Sequence, residues 1–144
     1  MSFLRAAAAA FALLAATPAL AHDGVHIDDA YVRLLPGAKA AAAFFTIENH
    51  ATDDDRLLSV TTDIAGMNEL HTNAMAADGT ASMHPIEGGI AIPAGQSARL
   101  ERGGDHVMLM MLTKRPKEGE TVTLTLTFER AGVVTVEAPV DNQR

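Results

Sequence analysis

An all-β sandwich is the fold class predicted here, and three observations carry the prediction. One segment alternates strictly between apolar and polar residues, turn chemistry recurs at short intervals, and no helical periodicity outlasts a turn. At 121–128, Val122, Leu124, Leu126 and Phe128 interleave with four threonines. Period two with β-branched residues marks a half-buried antiparallel strand. Gly132 then turns the chain, and 133–140 returns as its hairpin partner. Upstream, the candidate strands in order are 27–35, 41–48, 56–62, 67–71, 82–86, 97–101 and 106–112. Turn residues separate nearly all of them: Pro36-Gly37, Asn49-His50 with Asp53 to Asp55, Asp78-Gly79, Gly88-Gly89, Pro93-Ala94-Gly95, Gly103-Gly104 and Glu118-Gly119. Lys39 to Ala43 has helical composition but runs directly into Phe44-Phe45-Thr46-Ile47, which reads as strand. Eight or nine short strands with this spacing predict a single Greek-key β-sandwich, with no repeat and no second domain.

The composition removes whole classes of function. With 144 residues the chain suits one domain, and its 48% hydrophobic content suits a packed core. It has no cysteine, which excludes a disulfide scaffold, a thiolate zinc site, an iron–sulfur cluster, a cysteine nucleophile and a blue-copper electron carrier. A net charge of −7 with no basic run argues against nucleic acid as a partner. Seven methionines and six histidines stand out beside one tyrosine and no tryptophan.

Residues 1–21 have the layout of a secretory leader. Arg5 precedes an apolar stretch from Ala6 to Ala16, Pro18 breaks it, and Ala19-Leu20-Ala21 forms a cleavage site. The apolar run is too short for the ~20 residues that span a bilayer, so stable membrane insertion is not expected. Cleavage after Ala21 would leave a domain at 22–144, exported to the periplasm in a bacterium. No cysteine is present to take a lipid there.

The donor-bearing residues cluster in three places. In His106-Val107-Met108-Leu109-Met110-Met111-Leu112, alternation puts His106, Met108 and Met110 on one face and Val107, Leu109 and Met111 on the other. Such a strand is either buried on both faces, with Met as core filler, or presents an imidazole and a thioether to one metal. His71 closes Met67-Asn68-Glu69-Leu70-His71 and turns outward with Glu69 if Leu70 turns inward; it is a solvated surface histidine or a ligand. Met83, in the polar stretch Ser82-Met83-His84-Pro85, is a core anchor or a soft ligand, and His84 beside it faces the other way.

Taken in order, His71-Thr72, ten residues, Met83, 22 residues and His106-Val107-Met108 form a spaced series. The chain here resembles the PCu(A)C family of periplasmic copper(I) chaperones, which share a His, often a Met, ten residues, a Met, about 21 residues and His-x-Met. Ile92-Pro93-Ala94-Gly95, Lys117-Glu118-Gly119-Glu120 and the segment from Pro36-Gly37-Ala38 to Phe45-Thr46-Ile47 also resemble the family, so the likeness runs from about Asp28 to Val140. Two features depart from it: Thr72 stands where many members have Met, and the second gap is one residue longer. The resemblance implies a cupredoxin-like fold and one Cu(I) held by His71, Met83, His106 and Met108. It also implies delivery to the copper centre of a cytochrome oxidase or to a thiol-bearing assembly protein, with periplasmic copper buffering or resistance as the alternative. Met110 would pack under the metal or serve as an entry ligand, whereas Met67 is assigned to core and Met75 to loop.

The donor chemistry agrees with Cu(I). Thioether and imidazole suit a soft ion, carry no ligand charge, need no deprotonation and resist the oxidation that thiols suffer in the periplasm. An enzyme is not expected: no nucleophile elbow occurs, and His50 with Asp53, Asp54 and Asp55 lacks the spacing of a calcium loop and reads as a solvated turn. The processed amino terminus adds one further candidate. The terminal amine and imidazole of His22, with His26, offer nitrogen donors to a second, weaker Cu(II). A monomer is expected.

Overall fold

The computed structural model describes residues 24–144; the leader at 1–21 and His22 lie outside the described residues. Ten strands follow one another: β1 (Val25–Arg33), β2 (Ala41–Asn49), β3 (Asp55–Thr62), β4 (Ala65–Met75), β5 (Ala81–Pro85), β6 (Ile90–Ile92), β7 (Ser97–Leu100), β8 (His106–Leu112), β9 (Thr121–Phe128) and β10 (Gly132–Pro139). They form two antiparallel sheets. The first runs β1-β2-β8-β4-β5, with β7 also pairing along β2 beside β8; the second runs β10-β9-β3-β6. The chain crosses between sheets at β2–β3, β3–β4, β5–β6, β6–β7 and β8–β9, and no helix longer than a turn occurs among the described residues.

Alternation decides what lies between the sheets. Ala43, Phe45 and Ile47 of β2, Leu70 of β4, Val107 and Leu109 of β8 meet Leu57 and Val60 of β3, Ile90 and Ile92 of β6, and the apolar file of β9. Burying a Leu, Ile, Val or Phe side chain is worth about 1.5–3 kcal/mol, so this layer is the main source of stability. Two buried polar residues close its rim. Asn49 donates its amide to the carbonyls of Asp53 and Ile92, both at 2.9 Å, and accepts from the Ala51 N–H. The Asp55 carboxylate accepts three backbone N–H groups, from Arg56, Arg130 and Ala131, and so pins the β9–β10 turn to the start of β3. Asp54 accepts from the Ala94 N–H. The acidic turn after His50 is therefore structural, with one carboxylate buried rather than solvated.

The strand count exceeds the expected eight or nine because β6 is only three residues long, too short for alternation to register between its flanking turns. Its entry needs a glycine. Gly89 has φ +81°, and a Cβ there would sit 2.2 Å from the Leu57 carbonyl oxygen. β4 also runs four residues past His71, to Met75, and this extension together with His71 pairs with β5.

Candidate metal centre

The same alternation that buries Leu70, Val107 and Leu109 turns the residues between them to the outer face of the first sheet. Pairing of β4 with β8 places His71 directly opposite His106, Glu69 opposite Met108, and Met67 opposite Met110. On its other side, β4 pairs with β5 so that Asn73 lies opposite Met83 and His71 opposite Pro85. Directly opposed residues share a face. His71, His106, Met108 and Met83 therefore lie on one face, within one strand-pair step of each other along the strands. His84, opposite Thr72, projects to the reverse side.

The two imidazoles face each other with ring centroids 5.9 Å apart and planes at 58°. Each has one nitrogen engaged and one left over. His106 donates Nδ1–H to the Gly104 carbonyl at 3.0 Å; a carbonyl only accepts, so Nδ1 carries the proton and Nε2 keeps its lone pair. His71 donates Nε2–H to Glu69 Oε2 at 2.8 Å, and its Nδ1 is buried with no hydrogen-bond partner. A buried acceptor left unpaired costs about 1–3 kcal/mol. It is also what a ligand atom looks like before its ion arrives. The engaged nitrogens match the outer-shell pattern of metal-bound histidines, in which the far N–H goes to a carboxylate or a carbonyl.

The pair is sheltered although it lies outside the sandwich. His106 is only 5% exposed, because Phe44 of β2 packs beside it at 6.3 Å between centroids. Phe44 stacks on Tyr31 at 5.1 Å, and the Arg144 guanidinium lies 4.1 Å above the Tyr31 ring. An aromatic row thus crosses β1, β2, β8 and β4 and ends at His71, whose side chain is 13% exposed. Met83 is half exposed at the open side of the row.

The methionines answer whether they are core filler. None of the six described methionines belongs to the buried core. Five of them, Met67, Met75, Met83, Met108 and Met110, occupy register positions on the histidine face of the first sheet. Three sequence assignments change accordingly. Met67 is not core but an exposed residue of β4, because it pairs with Met110 on the outer face. Met75 ends β4 rather than lying in a loop. Met111 is not on the buried face: a positive φ of 53° breaks the alternation of β8 and turns it out. His26 is likewise an element of β1, donating Nε2–H to Asp28 Oδ1 at 3.0 Å, its ring 6.5 Å from that of His50. Among the described residues, no three His, Asp or Glu side chains converge as a metal cluster.

Comparison with known proteins identifies the family and the fold. A family model described as "Putative lipoprotein LpqE-like" matches residues 25–140. The chain belongs to the LpqE-like family. It is 31% identical over 126 residues to the "Putative lipoprotein Lxx21020" of Leifsonia xyli subsp. xyli, covering 88% of this chain and 75% of that protein. Among solved structures, this LpqE-like chain superposes on the copper-bound PCuAC domain of PmoF2 with TM-score 0.68 and 28% identity, covering 81% of this chain and 92% of that one. It also superposes on the Cu(I) form of DR1885 from Deinococcus radiodurans with TM-score 0.64 and 32% identity, covering 79% and 76% of the respective chains. The fold is that of the cupredoxin-like PCuAC domains, as the sequence resemblance implied.

Proposed function

We propose that this protein is an exported copper chaperone that carries one Cu(I) between His71, His106, Met83 and Met108. The observation that carries the reading is the pair of opposed imidazoles. Each has one nitrogen tied to an acceptor and the other without one, Nδ1 on His71 and Nε2 on His106. Met108 and Met83 flank that pair from β8 and β5. Two neutral nitrogens and two thioethers suit a soft monovalent ion better than a divalent one. Copper-bound and Cu(I) forms of the superposed PCuAC proteins support the same cargo. The chain acts as a carrier, not as an enzyme.

The site's position suits hand-over. Met83 is the outermost donor, so a thiol-bearing acceptor approaching from β5 would meet it first and displace ligands one at a time, without proton release from the thioether. We assign delivery to a cytochrome oxidase copper centre or to a thiol-bearing assembly protein, in preference to buffering. The processed domain is acidic, with a charge of −8 once Arg5 leaves with the leader, and such a surface favours a basic docking face and a salt-sensitive association. A second, weaker Cu(II) at His22 and His26 draws support from the exposed His26 ring on β1.

Titration of the processed protein with Cu(I), followed by X-ray absorption, tests the reading. One equivalent with mixed nitrogen and sulfur neighbours is expected; a shell of nitrogen and oxygen alone would overturn it. Transfer of the bound ion to a dithiol acceptor separates delivery from buffering. Adding one residue before His22 should disturb the nitrogen-rich Cu(II) resonance signal, and a signal that ignores the addition places that ion elsewhere.

A further inference from the structure

Met67 and Met110 are directly opposed across β4 and β8, one step along the strands from Glu69 and Met108. Met67 is 44% exposed, and Met110 is half-buried beside it. Opposed residues in an antiparallel pair have Cβ atoms about 4.5–5.5 Å apart, within reach of two flexible thioether arms. Met67 lies near the start of β4, outside the buried core, at a position where a Thr or charged residue would serve solubility. Met108 stands two residues from Met110 on the same face, about 7 Å along the strand. Its unbranched side chain lies between the histidine pair on one side and the methionine pair on the other.

We propose that Met67 and Met110 form a second site for a soft monovalent cation, joined by Met108 as a third donor only while the histidine site is empty. The site has sulfur donors only and is continuous with the histidine site. Its coordination is reached by ligand exchange alone: the ion moves from the Met67 and Met110 sulfurs to the imidazole nitrogens while Met108 stays bound. No electron is transferred and no proton is released, because thioethers bind without deprotonation. Lacking nitrogen donors, the all-thioether site holds its ion more weakly than the histidine site and fills second. It gives the carrier a position of capture at the end of the sheet face opposite Met83.

The inference rests on the proposed carrier function, and one titration separates their fates. Silver(I), a redox-silent d¹⁰ ion, is added to the processed protein while methionine methyl and histidine ring resonances are followed. The first equivalent is expected to shift His71, His106, Met83 and Met108; the second is expected to shift the Met67 and Met110 methyls. The Met67→Leu/Met110→Leu double variant, which keeps side-chain volume, should lose the second equivalent and keep the first. Histidine shifts with static Met67 and Met110 methyls through two equivalents would overturn the second site and leave the carrier reading standing. Met67 and Met110 shifts with static histidines would overturn the histidine site and support the methionine one. A second equivalent that persists in the double variant also overturns the proposal.

Discussion

Glu69 accepts the His71 Nε2–H at 2.8 Å and is 41% exposed on its side chain, opposite Met108 on the outer face. Its replacement tests whether the carboxylate, and not the strand alone, prepares His71 to bind. With Glu69 present, Nε2 keeps the proton and the buried Nδ1 presents a lone pair; without it the imidazole is free to take either tautomer. Loss of an outer-shell partner costs metal sites 10–100-fold in affinity as a rule, which corresponds to about 1.4–2.7 kcal/mol. The exposure of Glu69 places Glu69→Gln at the lower end, about tenfold, because the amide oxygen still accepts and water competes for the position. Glu69→Leu removes the acceptor and moves the loss toward the upper end, roughly a hundredfold. Competition for Cu(I) against a coloured chelator measures the affinities, and nitrogen-15 correlation spectra of the apo-protein report the His71 tautomer. Thermal midpoints should change little, since Glu69 contributes nothing to the core. If Glu69→Leu binds within twofold of wild type with His71 still protonated at Nε2, the positioning role is falsified.

Further outcomes follow from the packing. Val107, fully buried between Ala43 and Leu70, should not tolerate aspartate: Val107→Asp is expected to cost more than about 4 kcal/mol, against under about 1.5 kcal/mol for Met108→Leu on the other face. Urea titration of both variants checks this, and a milder Val107→Asp would reverse the assigned facing of β8. Asp55→Ala strips the acceptor from three buried or part-buried N–H groups and should destabilise the fold by about 3 kcal/mol. Hydrogen exchange at Arg130 and Ala131 should rise first. The Arg144 guanidinium, hydrogen-bonded to Asp29 at 2.6 and 2.7 Å, holds that exposed carboxyl below the ordinary aspartate value of 3.8. The contribution of this pair is present above the unfolded pKa and is lost as pH falls through the folded one. Carbon-13 titration of the Asp29 carboxyl should show the depressed midpoint, with return to the ordinary range in Arg144→Gln; identical midpoints would dissolve the link.

Local chemistry was legible in the chain itself. Alternation is a nearest-neighbour property, so the facing of Val107, Leu109 and the β9 file could be read directly, and the absence of cysteine left only nitrogen and thioether donors for a soft ion. What lay outside the reach of local pattern was which strands pair and in what register. β4 and β8 are far apart in the chain, and only the assembled sheet sets His71 opposite His106 and Met67 opposite Met110. A one-residue slip would have sent either histidine into the core. Period two also cannot say which face is buried when both carry apolar residues, and for that reason Met67 read as core while the structure leaves it exposed. Met111 escaped for a different reason: a single left-handed residue cancels the alternation on which its facing was argued. The proton positions on the two imidazoles depend on Glu69 and the Gly104 carbonyl arriving at hydrogen-bond distance. The residue types present therefore set which donors a metal could meet. Long-range pairing, fixed by burial of the opposite faces, decided that these donors share one face of the first sheet.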